Sequence, residues 1–139
     1  MQTHIKHVVH ALNPNVIEKG PGHGYGVFQA ASGAVKHIGF AAKSPGATKN
    51  IKLHTTHVLA SAKNAVTWAK KATNLSLRAL AASSADQAAP LVKKIKAMTD
   101  ALTTGIDANG DGKVSWKKGE GGLAVANKHM GFMMKGEKL

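Results

Sequence analysis

The chain predicts an all-α protein, a four-helix bundle, on three observations. Apolar residues recur at three- and four-residue spacing through much of the 139 residues, and strong breakers fall between the periodic runs. Aromatic residues are few, with two Trp, one Tyr and three Phe, while alanine is abundant. Alanine has the best helix propensity, and its small side chain lets helices approach closely. A chain of this length reads as one domain, 1–139, with a modest core. Within it, 1–26 reads as an extended Gly/His-rich N-terminal segment. Its first ten residues can form a short helix, and Gly20-Pro-Gly-His-Gly-Tyr-Gly26 is a connector.

The first helix of the bundle is expected from Val27 to about Lys43, with Val27, Ala31, Ala34, Ile38 and Ala41 on one face. Ser44-Pro45-Gly46 stops it. The second starts near Thr48, places Ile51, Val58, Ala62, Ala65, Ala69 and Ala72 on its apolar face, and runs toward Ala82 if Asn74 does not interrupt it. The short turn between them makes an antiparallel pair. Ser83-Ser84-Ala-Asp86-Gln87 offers a capping box for the third, striped by Leu91, Ile95, Met98 and Leu102. Its regular part is expected near Pro90, because proline is comfortable only in a first turn. Leu123, Ala126, Met130, Met133 and Met134 share a face of the fourth, which ends near Lys135-Gly136.

Between the third and fourth helices lies Asp107-Ala-Asn109-Gly-Asp111-Gly112-Lys113-Val114-Ser115. Oxygen-bearing side chains stand at positions 1, 3, 5 and 9 of this loop and glycine at position 6. Calcium requires six to eight hard oxygen ligands, which alternate residues of a tight turn supply together with a backbone carbonyl at position 7. The spacing therefore points to Asp107, Asn109, Asp111, the carbonyl of Lys113, and Ser115 as calcium ligands. Asn-Gly and Asp-Gly also form turns without any metal. The stretch resembles the loop of the EF-hand family, in which Val114 would be the inward-packing residue at position 8. The resemblance implies an EF-hand-like calcium loop joining the third and fourth helices. It departs from the family at position 12, where Lys118 stands in place of the closing Glu. The nearest carboxylate, Glu120, would have to reach back from the next helix, or water would complete a weaker site. Gly119, Gly121 and Gly122 give the backbone freedom for that and weaken the start of the fourth helix.

Charge is strongly one-sided. Seven acidic residues face nineteen Lys and Arg, for a formal net charge of +12, and Arg78 is the single arginine. Three of the carboxylates, Asp107, Asp111 and Glu120, crowd the loop, which asks for a cation. Lysine is a hydrated point charge, whereas base and phosphate reading favours the bidentate guanidinium, so a specific nucleic-acid reader is disfavoured. An acidic protein or anionic surface is the partner this charge suits; solvated helix faces account for it equally well. No run is long and apolar enough for a membrane span. Zero cysteines exclude disulfides and thiolate metal sites. The opening Met-Gln-Thr-His lacks an apolar signal region. An imperfectly closed calcium site suits calcium-rich surroundings, so a periplasmic or secreted location is expected, the signal having been removed.

His37, His54 and His57 form a second constellation. His37 and His54 stand nearly equidistant from the Pro45-Gly46 tip, and His54 and His57 are neighbours at i and i+3. Antiparallel pairing of the first two helices would bring the three together as a site for Zn²⁺, Cu²⁺ or Ni²⁺, or two of them about a haem iron. Asn50 and Asn64 lie near the same face as hydrogen-bond partners. His129 with Met130, Met133 and Met134 resembles a copper-binding set, although the methionines read better as core filling. His4, His7 and His10 sit at a terminus ill suited to a preorganised site. Gly22-x-Gly24-x-Gly26 fits neither phosphate-loop fingerprint. Without cysteine, and with Asp86, Asp100, Glu18 and Glu137 at no spacing that suggests an acid–base pair, an enzyme is not expected. The leading expectation is a calcium-binding helical bundle with a structural or modulatory role. The alternative is a transition-metal or haem carrier built on the histidines, and a third reading is a basic adaptor docking on an acidic surface.

Overall fold

The computed structural model describes residues 2–17, 19–117 and 119–139. Five helices follow in order: α1 (Gln2–Leu12), α2 (Val27–Lys43), α3 (Lys49–Leu80), α4 (Ala85–Thr104) and α5 (Leu123–Gly136). Among the described residues there is no strand, only an isolated antiparallel bridge between Gly105 and Gly121. The four expected helices are α2 to α5. The fifth is α1, in the N-terminal segment whose first ten residues the sequence allows as a short helix. Ile5, Val9 and Leu12 recur at helical spacing and are buried, Ile5 beside Ala79 and Ile95, Leu12 beside Ala69 and Trp68. That periodicity overrides the polar histidines between them.

α3 is the axis of the molecule. Its 32 residues span about 48 Å, and it packs against all four other helices. Ala62, Ala65, Ala69, Ala72 and Ala79 are buried along it, so the alanine content allows several helices to close on one. Thr48 caps its start, its hydroxyl accepting the Ile51 N–H at 3.1 Å, and Asn74 is passed without interruption. Ser84 caps α4 by accepting the Gln87 N–H at 3.3 Å, and the Gln87 side chain accepts the Ser83 N–H at 3.1 Å. This cap starts α4 five residues before Pro90, so the proline sits inside the helix rather than at its start. The cap and the buried Ala88 hold the first turn, at the cost of the one backbone bond that proline lacks.

The 105–122 loop turns the chain from α4 into α5 and leans on α3. The Ile106 N–H donates to the Glu120 carbonyl at 2.9 Å, closing the loop's base. A Cβ on Gly122 would stand 2.6 Å from the Ala101 carbonyl oxygen and 2.7 Å from that of Leu102; one on Gly121 would stand 2.5 Å from Ser61 Oγ. These two glycines are therefore required by close packing. Both are buried, which replaces the expectation that they loosen the start of the last helix.

Candidate metal centre

One face of α3 carries Asn50, His54, His57, Ser61 and Asn64, a polar stripe at alternating four- and three-residue steps. A repeat of 3.5 residues keeps a stripe facing one neighbouring helix. Here the neighbours are α5 and the loop before it. At one end Asn50 Nδ2 donates to the Met133 carbonyl at 3.0 Å and to Glu137 Oε1 at 2.8 Å. At the other, Asn64 Nδ2 donates to the carbonyls of Gly121 at 3.0 Å and Lys117 at 3.3 Å, while its Oδ1 accepts the Gly119 N–H at 2.9 Å. Asn50 and Asn64 thus clamp α5 and the loop to α3, not the histidines as expected from sequence. Ser61, between them, packs against Gly121.

Inside this clamp His54 and His57 meet His129 of α5. His129 Nδ1 lies 3.1 Å from His54 Nδ1 and 3.2 Å from His57 Nδ1. A nitrogen from each of the three rings lies within 4.8 Å of the others. A neutral imidazole presents at Nδ1 either one N–H or one lone pair, so His129 can complete a hydrogen bond with one of its neighbours but not with both. A cation that accepts three lone pairs satisfies all three. Ligands bound at about 2.0–2.1 Å around a tetrahedral Zn²⁺ stand about 3.3 Å apart, close to the observed spacing. Axial ligands on opposite sides of a haem iron at such bond lengths would be about 4 Å apart with the macrocycle between them, which the 3.1 Å contact does not admit. The donor set fits a transition-metal ion.

Aromatic rings wall the site. Trp116, from the loop, stacks on His57 with centroids 4.2 Å apart and planes 26° from parallel. Phe132 lies 5.7 Å from His54 and 5.6 Å from His129. The pKa values of His57 and His129 are lowered, first by burial and then by repulsion from neighbouring imidazoles, His54 on both and His57 also on His129; Lys128 adds a smaller push on His129. Both shifts favour the neutral, metal-binding form.

The sequence-based grouping differs in one member and in the helices involved. His37 is exposed on α2, beside Phe40, and lines a cavity with Ile38, Asn127 and Met130. His37 does not join them, because α2 packs on the Thr55 and Leu59 face of α3 while His54 and His57 face α5. The trio therefore spans α3 and α5, with His129 in the third place. Met133 is buried but Met134 is 49% exposed, so the expected methionine face only partly enters the core. His10 is buried with Nδ1 2.9 Å from the Pro21 carbonyl, and His4 and His7 pack edge to face on α1.

In the loop, Asp107 Oδ1 accepts N–H groups from Gly110 at 2.8 Å and Asp111 at 3.1 Å, and Oδ2 accepts that of Gly112 at 2.7 Å. Asp111 Oδ1 accepts the Lys113 N–H at 2.9 Å, and Asn109 Nδ2 donates to Asp111 Oδ2 at 3.1 Å. Glu120 stands apart from these. It precedes α5, is buried, and its Oε2 accepts the Ser115 N–H at 3.0 Å and the Ser115 hydroxyl at 2.5 Å. Among the described residues the histidine trio is the one group of three such side chains gathered within metal-ligand reach. Val114 is 40% exposed where an inward-packing residue was expected; it covers Gly105, which has no Cβ to obstruct it. Lys118, the departure at position 12, lies outside the described residues. Comparison with protein-family models, curated proteins and solved structures returned no match for this chain.

Proposed function

We propose that this protein binds a divalent transition-metal ion, Zn²⁺, Cu²⁺ or Ni²⁺, through His54, His57 and His129, as a carrier or buffer rather than an enzyme. The observation that carries the reading is the convergence of three Nδ1 and neighbouring ring nitrogens at a spacing that hydrogen bonds leave unsatisfied and a metal satisfies. All three histidines are only partly buried, so an ion has access, and three protein ligands leave a fourth position open for water or for a receiving ligand. Titration of chelator-stripped protein with Zn²⁺ by calorimetry tests it: one site per chain with quenched or shifted Trp116 emission is expected, and no saturable uptake at high micromolar Zn²⁺ would remove the assignment.

The pH dependence has a defined sign. Because His57 and His129 titrate below the ordinary histidine value of 6.5, the unfolded chain takes up their protons first as the pH falls. Stability from this pair is therefore full above 6.5 and declines on acidification through the lowered folded values. Metal competes with the same protons, so affinity should hold steady near pH 7.5 and weaken as acid protonates the rings. Affinity that rises between pH 7 and 5 would contradict this account.

A second reading assigns calcium to the 107–115 loop. The observation favouring it is that Asp107, Asn109 and Asp111 are exposed residues whose side-chain oxygens are gathered about the amides of one short turn. Asp107→Ala is expected to lower calcium affinity at least tenfold by calorimetry. Unchanged affinity would leave the turn as a metal-free connector. On this reading the ion has a structural or modulatory role, ordering the segment that carries Trp116, and a periplasmic or secreted location follows as part of the same proposal.

A further inference from the structure

The longest stretch of the chain without a carboxylate runs from Lys19 to Ala85 and contains all of α2 and α3. Between these helices lies a groove of about 450 Å³ lined by Lys36, Lys43, Lys52 and Lys63 over a floor that includes Leu59 and Thr55. It runs into a second hollow of about 530 Å³ that shares Thr56, Leu59 and Lys63. All four lysines are exposed. Among the described residues the ion pair formed is Lys96 with Asp100, on α4. Glu137 reaches α3 only at Thr48 and Asn50, neither of which lines the groove. Thr55 is 3% exposed, and its hydroxyl has no hydrogen-bond partner. Phe40 stands at the lip, 54% exposed, with the Lys36 ammonium 5.9 Å from its ring centre.

We infer that this groove docks the protein on an anionic phospholipid surface, with headgroup phosphates among the four lysines and Phe40 entering the headgroup boundary. Four ammonium groups that form no ion pair with any described carboxylate attract anions. Lysine suits a fluid, non-directional anion layer, whereas nucleic acid favours bidentate guanidinium groups, and Arg78 does not line the groove. An exposed phenylalanine beside lysines is the composition of an interfacial anchor. No helix of the described residues is long and apolar enough to cross a membrane, so attachment would be peripheral. This inference is independent of the histidine site.

The test is co-sedimentation of the whole protein with vesicles of phosphatidylglycerol and phosphatidylcholine, against phosphatidylcholine alone. Two variants of equal net charge separate the groove from charge in general: Lys36→Gln, Lys43→Gln, Lys52→Gln and Lys63→Gln together, and Lys70→Gln, Lys71→Gln, Lys93→Gln and Lys94→Gln together. Binding to the anionic vesicles alone is expected, weakened roughly a hundredfold by the groove set and within about threefold by the control set. Phe40→Ala should weaken it further in low salt, where the charges are intact. Equal loss in both sets would overturn the groove as the site, as would equal binding to both vesicle types. Groove-dependent binding of single-stranded RNA without vesicle binding would overturn the lipid assignment.

Discussion

His129→Ala is expected to weaken Zn²⁺ binding about a hundredfold or more, with His37→Ala leaving it unchanged. His129 is the shared neighbour of both other rings, at 3.1 and 3.2 Å, so its removal leaves His54 and His57 as an i, i+3 pair without a facing ligand. A two-histidine pair on one exposed helix face is a weak chelate; the third ligand from α5 makes the site a cage. Competition against a zinc-binding dye would measure the loss. His37 is the informative control, since packing of α2 on the His54 and His57 face of α3 would have made it the third ligand. If His37→Ala lost affinity and His129→Ala did not, the packing of α5 on α3 would be wrong. In either variant the fold should survive, because both histidines lie outside the buried clusters of the core.

Asn64→Ala should cost about 2–4 kcal/mol of stability, by the loss of three hydrogen bonds and the stranding of the Gly121 carbonyl and Gly119 N–H beneath the loop. For a domain of this size that is a fall of roughly 10 °C in Tm. Stability is one readout and the metal site is the other. Asn64 holds the segment that carries Trp116, and Trp116 stacks on His57, so the variant should show red-shifted Trp116 emission and weaker metal-induced quenching. Full retention of quenching with a lowered Tm would mean that Trp116 is held by its stack alone.

The helices of the bundle were legible because each carried its own signal. Thr48 and Ser84 cap α3 and α4, Ser44-Pro45-Gly46 breaks the chain after α2, and alanines at helical spacing mark the buried face of α3. α1 carries a weaker signal, three apolar residues, Ile5, Val9 and Leu12, at helical spacing among the histidines of a short segment. The cap at Ser84 also outranked Pro90, since a satisfied helix start constrains the chain more than one missing N–H does.

The histidine site was half legible. His54 and His57 at i and i+3 announce a shared face, and the full stripe from Asn50 to Asn64 carries a 3.5-residue repeat that marks it as a seam against another helix. Which helix lies across the seam is a matter of packing around α3, and helical periodicity describes one helix at a time. His129 had no spacing that linked it to residues more than seventy positions earlier, and Trp116 had none at all. Sequence by itself determined the all-α class, four of the five helices, the lysine excess and the acidic turn, all of which follow from local propensity, capping and charge. Tertiary structure decided that α3 would be the axis, that α5 rather than α2 would face His54 and His57, and that Glu120 would be buried as the acceptor for Ser115. Those outcomes depend on which faces bury the most surface against one another, a property of the assembled helices that no single segment contains.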